Sequence, residues 1–262
     1  MITSVSNDRV KLVRALQNKR RVRARENALV IEGHRLAQEA VRTQASVREV
    51  YHVEAFSEDP DGAALIAALS KLGAAVTAVT PQVMAAMSAT ETPPGVLAVL
   101  SFAPRPMPER LSSLLIVDGL NTPGNLGAVL RTADAAGVEA VALAPGTVDP
   151  TNPKVVRGAM GAHFRLPMAL LSWEAIARMT EGMHVLVADV EGGVAYDEVD
   201  WRQPVALILG GEAHGASEEA ARLAGARVTI PMQRGVESLN AAVAAGVLLF
   251  EMARQRKTGG DR

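Results

Sequence analysis

Apolar and polar positions are patterned differently in the two halves of the chain. In the second half, apolar runs recur at "LLIVDGL" (114–120), "EAVALA" (139–144), "HVLVADV" (184–190), "VALILG" (205–210) and "RVTIPM" (227–232). None alternates apolar with polar residues, and helical stretches lie between them. Near-continuous apolar strands separated by helices predict a parallel sheet covered on both faces. In open sheets of this kind ligands sit at the carboxyl ends of the strands. That rule points to Asp118, Asn121, Pro145, Gly146, Asp189, Gly210, Gly211, Glu212, Pro231 and Met232.

The first half reads as a smaller α/β unit. Its strands are expected at "ALVIE" (28–32), "REVYHV" (48–53), "AAVTAV" (74–79) and "GVLAVLSF" (95–102), with alanine- and leucine-rich helices between. The connecting "SFAPRPMPERLSS" (101–113) carries Pro104, Pro106 and Pro108. Alternating prolines favour an extended connection, so domains of residues 1–105 and 106–262 are expected.

Composition narrows the classes. At 262 residues and 48% hydrophobic, the chain can bury one large core or two modest ones, and disorder is excluded. A net charge of −1 means that nucleic-acid binding must rest on a local patch. One such patch is the run from Arg9 to Arg25, which holds Arg9, Lys11, Arg14, Lys19, Arg20, Arg21, Arg23 and Arg25 and no acid. A basic helix that binds phosphates is expected there. Cysteine is absent, which removes disulfides and thiolate sites. The start, "MITSVSNDRVKL", lacks the apolar run of a signal peptide, and the longest apolar stretch (239–250) is too short to span a bilayer. A soluble, cytoplasmic protein without membrane contact is expected. His34, His52, His163, His184 and His214 show no metal-ligand spacing, so no metal is expected.

Three segments carry chemistry. "NTPGNLGAVLRTADAAG" (121–137) is a turn leading into a helix, with Asn125 a candidate cap and Leu126, Val129, Leu130 and Ala133 an apolar stripe. Arg131 lies one turn after Gly127, and its side chain is expected to pass back over that glycine toward the loop. There the arginine and the helix N-terminus would hold one anion together. "LILGGEAHGAS" (207–217) ends a strand in two glycines, which allow close approach of a ligand to the backbone, and Ser217 is a candidate cap. In "IPMQRGVESLNAAVAAG" (230–246), Ser238 is a candidate cap of a helix whose apolar stripe is expected at Leu239, Val243, Val247 and Phe250. The alanines from Ala241 to Ala245 and Gly246 make that helix slim enough for close packing.

In this order, the three segments resemble the SpoU (TrmH-like) branch of the SPOUT RNA methyltransferases over most of residues 112–256. The N-terminal part, including "VIEGHRLAQEAV" (30–41), resembles the small L30e-like substrate-binding domain often attached to that branch. The resemblance implies a deep trefoil knot, a homodimer, S-adenosylmethionine as cofactor and methylation of a ribose 2′-oxygen. It implies catalytic roles for Asn125, Arg131, Glu212, Ser238 and Asn240, and cofactor loops at Gly210, Gly211, Ile230, Met232 and Leu239.

Methyl transfer from a sulfonium requires alignment of the 2′-oxygen and removal of its proton. The family's proposal makes the arginine the base. Neutralising an ordinary guanidinium at pH 7 costs about 8 kcal/mol, so Arg131 is read as phosphate clamp and oxyanion partner first. Glu212 is read as fixing loop geometry, and His214 as structural or substrate-facing. The expected substrate is 23S ribosomal RNA, with transfer RNA as the alternative. A non-catalytic RNA-binding protein of the same fold is the competing class.

Overall fold

Strands form where the apolar runs fall. The computed structural model describes residues 1–102, 105–212, 215–234 and 237–258. The chain divides into two compact units, Met1–Ala103 with Asp149–Phe164, and Pro104–Val148 with Arg165–Arg262.

In the first unit, β1 (Ala28–Glu32), β2 (Val47–His52), β3 (Ala75–Ala78) and β4 (Val96–Ser101) make a sheet in the order β1-β4-β2-β3. β4 runs antiparallel to β1 and β2, and β3 is parallel to β2. Both faces are apolar because alternate residues of each strand serve different cores. Leu29, Ile31, Val96 and Ala98 join one cluster with Leu36, Leu65 and Leu69 of the helices His34–Arg42 and Pro60–Lys71. Ala28, Val30, Leu97 and Val99 join another with Val10, Val13 and Leu16 of the helix Asp8–Asn18.

The basic run forms two helices rather than one: Asp8–Asn18 and Arg20–Glu26 are separated by Lys19, whose backbone is extended (φ −124°, ψ 107°). The second helix turns Arg23 inward. Residues 149–164, expected in the second domain from their place in the chain, belong to the first unit. Their packing explains why: Val156 and Phe164 enter the core beside Leu29 and Ile31, and Arg23 pairs with Asp149 at 2.6 Å.

The second unit is built on β5 (Ser113–Asp118), β6 (Ala140–Leu143), β7 (Met168–Leu170), β8 (His184–Ala188), β9 (Val194–Ala195), β10 (Val205–Gly210) and β11 (Ala226–Thr229). The order is β7-β6-β5-β10-β8-β11-β9 and every pairing is parallel. The five expected strands are present, and the short β7 and β9 extend the sheet at its two edges. The helix Pro123–Ala136 starts with proline in its first turn and stops at Gly137, which adopts φ 77°. It buries Leu126, Val129, Leu130 and Ala133, the expected stripe.

The C-terminal helix Ala241–Thr258 packs against Pro123–Ala136. Its buried residues are Ala241, Ala245, Leu248, Leu249 and Met252, whereas Val243 and Phe250 are each 52% exposed. The apolar stripe expected at Leu239, Val243, Val247 and Phe250 is therefore not the one that meets the core. Ala241 and Ala245 let the two helices approach closely, and Leu248, Leu249 and Met252 complete the buried face. Among the described residues, no helix is long and apolar enough to cross a membrane.

Candidate active site

The carboxyl ends of β5 and β10 lie side by side, paired through Asp118 and Gly210. Asp118 is buried, and its carboxylate accepts the Ser217 N–H at 2.6 Å. Ser217 in turn caps the helix Glu218–Leu223, as expected, by accepting the Ala220 N–H at 3.2 Å. Thr147 fixes the turn after β5: its hydroxyl donates to Val117 O and accepts the Gly119 N–H. The loop after β10 folds back on itself, with Gly211 and Gly215 exchanging N–H···O bonds of 3.0 Å.

The two glycines ending β10 are needed for this folding back. A Cβ on Gly210 would lie 2.4 Å from Gly215 C and 2.5 Å from Ala216 N, and one on Gly211 would lie 2.6 Å from Gly119 O. The close approach that these glycines permit here is with the chain's own backbone.

Three catalytic candidates from three separate segments are joined by hydrogen bonds. Asn240 Nδ2 donates to Asn125 Oδ1 at 3.1 Å, and Asn125 Nδ2 donates to Glu212 Oε1 at 2.6 Å. Asn240 Oδ1 accepts the Ala242 N–H at 2.9 Å, so Asn240 and not Ser238 caps the C-terminal helix. Asn125 does not cap its own helix either, because Thr122 holds the N-cap position and Asn125 lies within the first turn.

The helix end has an anion all the same. Burial raises the Glu212 carboxyl, but hydrogen bonds from Asn125, its own backbone, Thr122 and the Asn121 backbone outweigh that effect, so it is held below the ordinary carboxylate range. Glu212 thereby occupies the N-terminal end of the helix Pro123–Ala136. Its negative charge there is favoured by the helix dipole.

Arg131 lies further along the same helix and is exposed. Among the described residues no hydrogen bond or ion pair holds its guanidinium, and Gly127, one turn earlier, is buried. Ser238 is exposed just before Asn240, while Ile230, Met232 and Leu239 stand half-buried in the segment after β11. Gly210 and Gly211 are half-buried too. His214 lies outside the described residues. No group of three or more His, Asp or Glu side chains able to hold a metal ion occurs among the described residues.

The basic residues of the N-terminal run separate into kinds. Arg14, Lys19, Arg20 and Arg21 are exposed. Lys11 pairs with Asp8, Arg25 with Glu26, and Arg9 reaches Thr77 and Glu49. Arg23 is withdrawn from the surface altogether. It is 5% exposed and donates to Asp149, Thr151 and the Leu16 carbonyl, so it cannot contact a phosphate as expected. Asp118 and Asn121, expected at the strand ends, do support the site, whereas Thr122 and Thr147 carry no sequence signal of their own. Only their place beside strand ends could have marked them.

The parallel sheet, with strand-end loops tied together by amides and a carboxylate, places a polar site at the carboxyl ends of its strands, where α/β proteins bind ligands. Residues 112–250 match the SpoU rRNA methylase family, and the chain belongs to that family. Residues 7–98 match the MRM3-like substrate binding domain. The chain is 31% identical over 257 residues to the 23S rRNA (guanosine(2553)-2′-O)-methyltransferase RlmP of Bacillus subtilis, covering 96% of this chain and 98% of that one. It resembles the AdoMet-bound rRNA methyltransferase from Sinorhizobium meliloti with a TM-score of 0.85 at 30% identity, over 97% of both chains. The SpoU methyltransferase AviRb from Streptomyces viridochromogenes, in complex with AdoMet, matches with a TM-score of 0.85 at 29% identity, over 96% of this chain and 99% of that one.

Proposed function

We propose that the protein methylates a ribose 2′-oxygen of 23S ribosomal RNA, with S-adenosylmethionine as methyl donor. The observation that carries this reading is the hydrogen-bonded joining of Asn125, Glu212 and Asn240. It assembles one polar site from loops spread over most of a domain of the matching family.

The residues present suit the cofactor. Ile230, Met232 and Leu239 are apolar side chains left half-open at the carboxyl end of a parallel sheet, where a flat adenosine would cover them. The cofactor supplies an activated methyl group on a sulfonium. The chain's own residues orient the acceptor and handle its proton. Each amide nitrogen of Asn125 and Asn240 carries two hydrogens, and among the described residues only one of each is used. The remaining donors suit ribose oxygens and the charge that grows on the 2′-oxygen. Glu212, held ionised by its donors, is a weak base and acts by fixing Asn125. Arg131 supplies the exposed cation for a phosphate flanking the target nucleotide and for the forming oxyanion.

Exposed Arg14, Lys19, Arg20 and Arg21 serve as the phosphate contacts of the first unit, with Arg9, Lys11 and Arg25 contributing through partly shared charges. Val243, Val247 and Phe250 follow one another at helical spacing on the outer face of the C-terminal helix. This stripe supports a symmetric homodimer formed through that helix. The family resemblance further supports a knotted arrangement of the last loops.

Single-turnover transfer of labelled methyl to 23S ribosomal RNA tests the reading. Arg131→Ala should lose transfer by at least a hundredfold while cofactor affinity stays within threefold. Near-normal turnover by that variant would remove Arg131 from the site.

A further inference from the structure

We infer that Lys154 and Arg157, on the short helix Pro153–Ala159, form part of the surface on which the first unit holds RNA phosphates. The inference rests on the reading that this unit binds RNA. It adds a segment outside residues 7–98, the extent of the substrate-binding match.

The chain leaves the second unit after Val148 and returns to it at Arg165. The stretch between is anchored firmly to the first unit. Val155, Val156 and Ala159 are buried, Phe164 packs on the same core, and the helix lies against the edge strand β1. At Gly161 (φ 90°) the backbone passes so near helix His34–Arg42 that a Cβ would lie 3.2 Å from Glu39 Cβ. The side opposite these contacts carries Lys154 and Arg157, both exposed.

The charge balance of this segment is one-sided. Its single acid is Asp149, and that carboxylate is consumed by buried Arg23 and by Thr151. Its histidine, His163, is wholly buried; burial lowers its pKa, although the Pro150 carbonyl and Asp149 act the other way, and it adds no positive charge at neutral pH. Lys154 and Arg157 therefore set the segment's outward charge. Among the described residues neither side chain has a hydrogen bond or ion pair.

Folding alone does not favour this arrangement. Like charges three residues apart on a helix repel, and Lys154 sits in the first turn, where the helix dipole disfavours a cation, although it favours Arg157 in the last turn. An external anion removes both penalties.

The same edge strand is flanked by the helix Arg20–Glu26, which carries exposed Arg20 and Arg21. Arg23 lies one turn after Arg20 on that helix, and its ion pair with Asp149 joins the two helices' segments. Lys19, Arg20 and Arg21 on one side and Lys154 and Arg157 on the other thus border one strand. Two basic segments beside one edge suit successive phosphates of a folded RNA, where shape and backbone contacts dominate recognition.

The test uses the full chain and 23S ribosomal RNA transcribed in vitro, with dissociation constants measured across salt. Three proteins are compared: wild type, Lys154→Gln/Arg157→Gln, and Arg20→Gln/Arg21→Gln, each checked for melting temperature and S-adenosylmethionine affinity. Removing two phosphate contacts should weaken binding about ten- to thirtyfold near 0.15 M salt and flatten the log–log salt slope by about 1.5. Cofactor affinity should be unchanged, and Lys154→Arg/Arg157→Lys should restore binding. Weakening in both double variants, or in the Lys154/Arg157 variant alone, supports the inference. Weakening only in the Arg20/Arg21 variant overturns it while leaving RNA binding by the first unit intact. If neither variant weakens binding, the inference and the RNA-binding reading of this edge both fall.

Discussion

Replacing Arg23 with Met should be among the most damaging single changes to the first unit. The Arg23 side chain is 5% exposed and that of Asp149 is 11% exposed. Its guanidinium donates to Asp149 at 2.6 and 3.2 Å, to Thr151 at 3.2 Å and to the Leu16 carbonyl at 2.9 Å. Methionine fills much of the volume but leaves a buried carboxylate with only Thr151 as donor. Breaking a buried pair this way costs about 3–5 kcal/mol. At about 2–4 °C per kcal/mol, the melting temperature should fall by about 6–20 °C.

The pH dependence identifies the cause. In the wild type, burial raises the Asp149 carboxyl, but Thr151 and Arg23 lower it further, to a net value below the ordinary range. That contribution is complete above an ordinary carboxylate pKa of about 3.9 and is lost only as pH falls through the lower folded value. Without Arg23, only the two Thr151 hydrogen bonds oppose burial, so the folded pKa rises from its wild-type position. The variant's deficit should then be largest at pH 7.5 and shrink toward pH 4, as the raised carboxyl takes up its proton before the wild-type one does. Adding Asp149→Asn should restore much of the lost stability by removing the stranded charge. Thermal melts of the full-length variants at the two pH values measure all of this. A loss below about 1 kcal/mol, or an equal loss at both pH values, would refute the argument.

Glu212→Gln should slow methyl transfer at least tenfold, because an amide cannot accept from all the donors around the carboxylate and Asn125 loses its fixed orientation. Wild-type activity should show no Glu212-linked change between pH 5 and 8, since that carboxyl stays ionised there and gains its proton only below the ordinary range; a rise in this window that Glu212→Gln abolishes would contradict the assignment. Gly211→Ala must displace the Gly119 backbone from a 2.6 Å contact and should cost about 1–3 kcal/mol in chemical denaturation. Phe250→Glu should leave the helix packed, as that side chain is half-exposed in the single chain, yet yield a monomer in sedimentation. A stable dimer in that variant would move the interface elsewhere.

Much of the architecture was legible because it rests on long apolar runs: each expected strand is present, and the buried stripe of the helix Pro123–Ala136 matches. β7 and β9, of three and two residues, are too short for any periodicity to reveal. Residues 149–164 could not be assigned to the first unit, since chain order says nothing of an excursion held by Arg23, Val156 and Phe164. Arg23 itself looked like its basic neighbours, and only its inward turn distinguishes it. At the site, Asn125, Glu212 and Asn240, named through motif resemblance, are joined by hydrogen bonds. Their mutual hydrogen bonds depend on loop geometry spread over more than a hundred residues of chain. The stripe on the C-terminal helix was misassigned because periodicity reports apolar faces without saying which one the same chain covers.

The central claim is tested most directly by incubating the purified full-length protein with 23S ribosomal RNA and S-adenosylmethionine carrying a labelled methyl group, then digesting the RNA to nucleosides. The account predicts label in a 2′-O-methyl nucleoside at a single site, and none with Arg131→Ala. Label on a base, or no transfer to any RNA despite saturable cofactor binding, would contradict it.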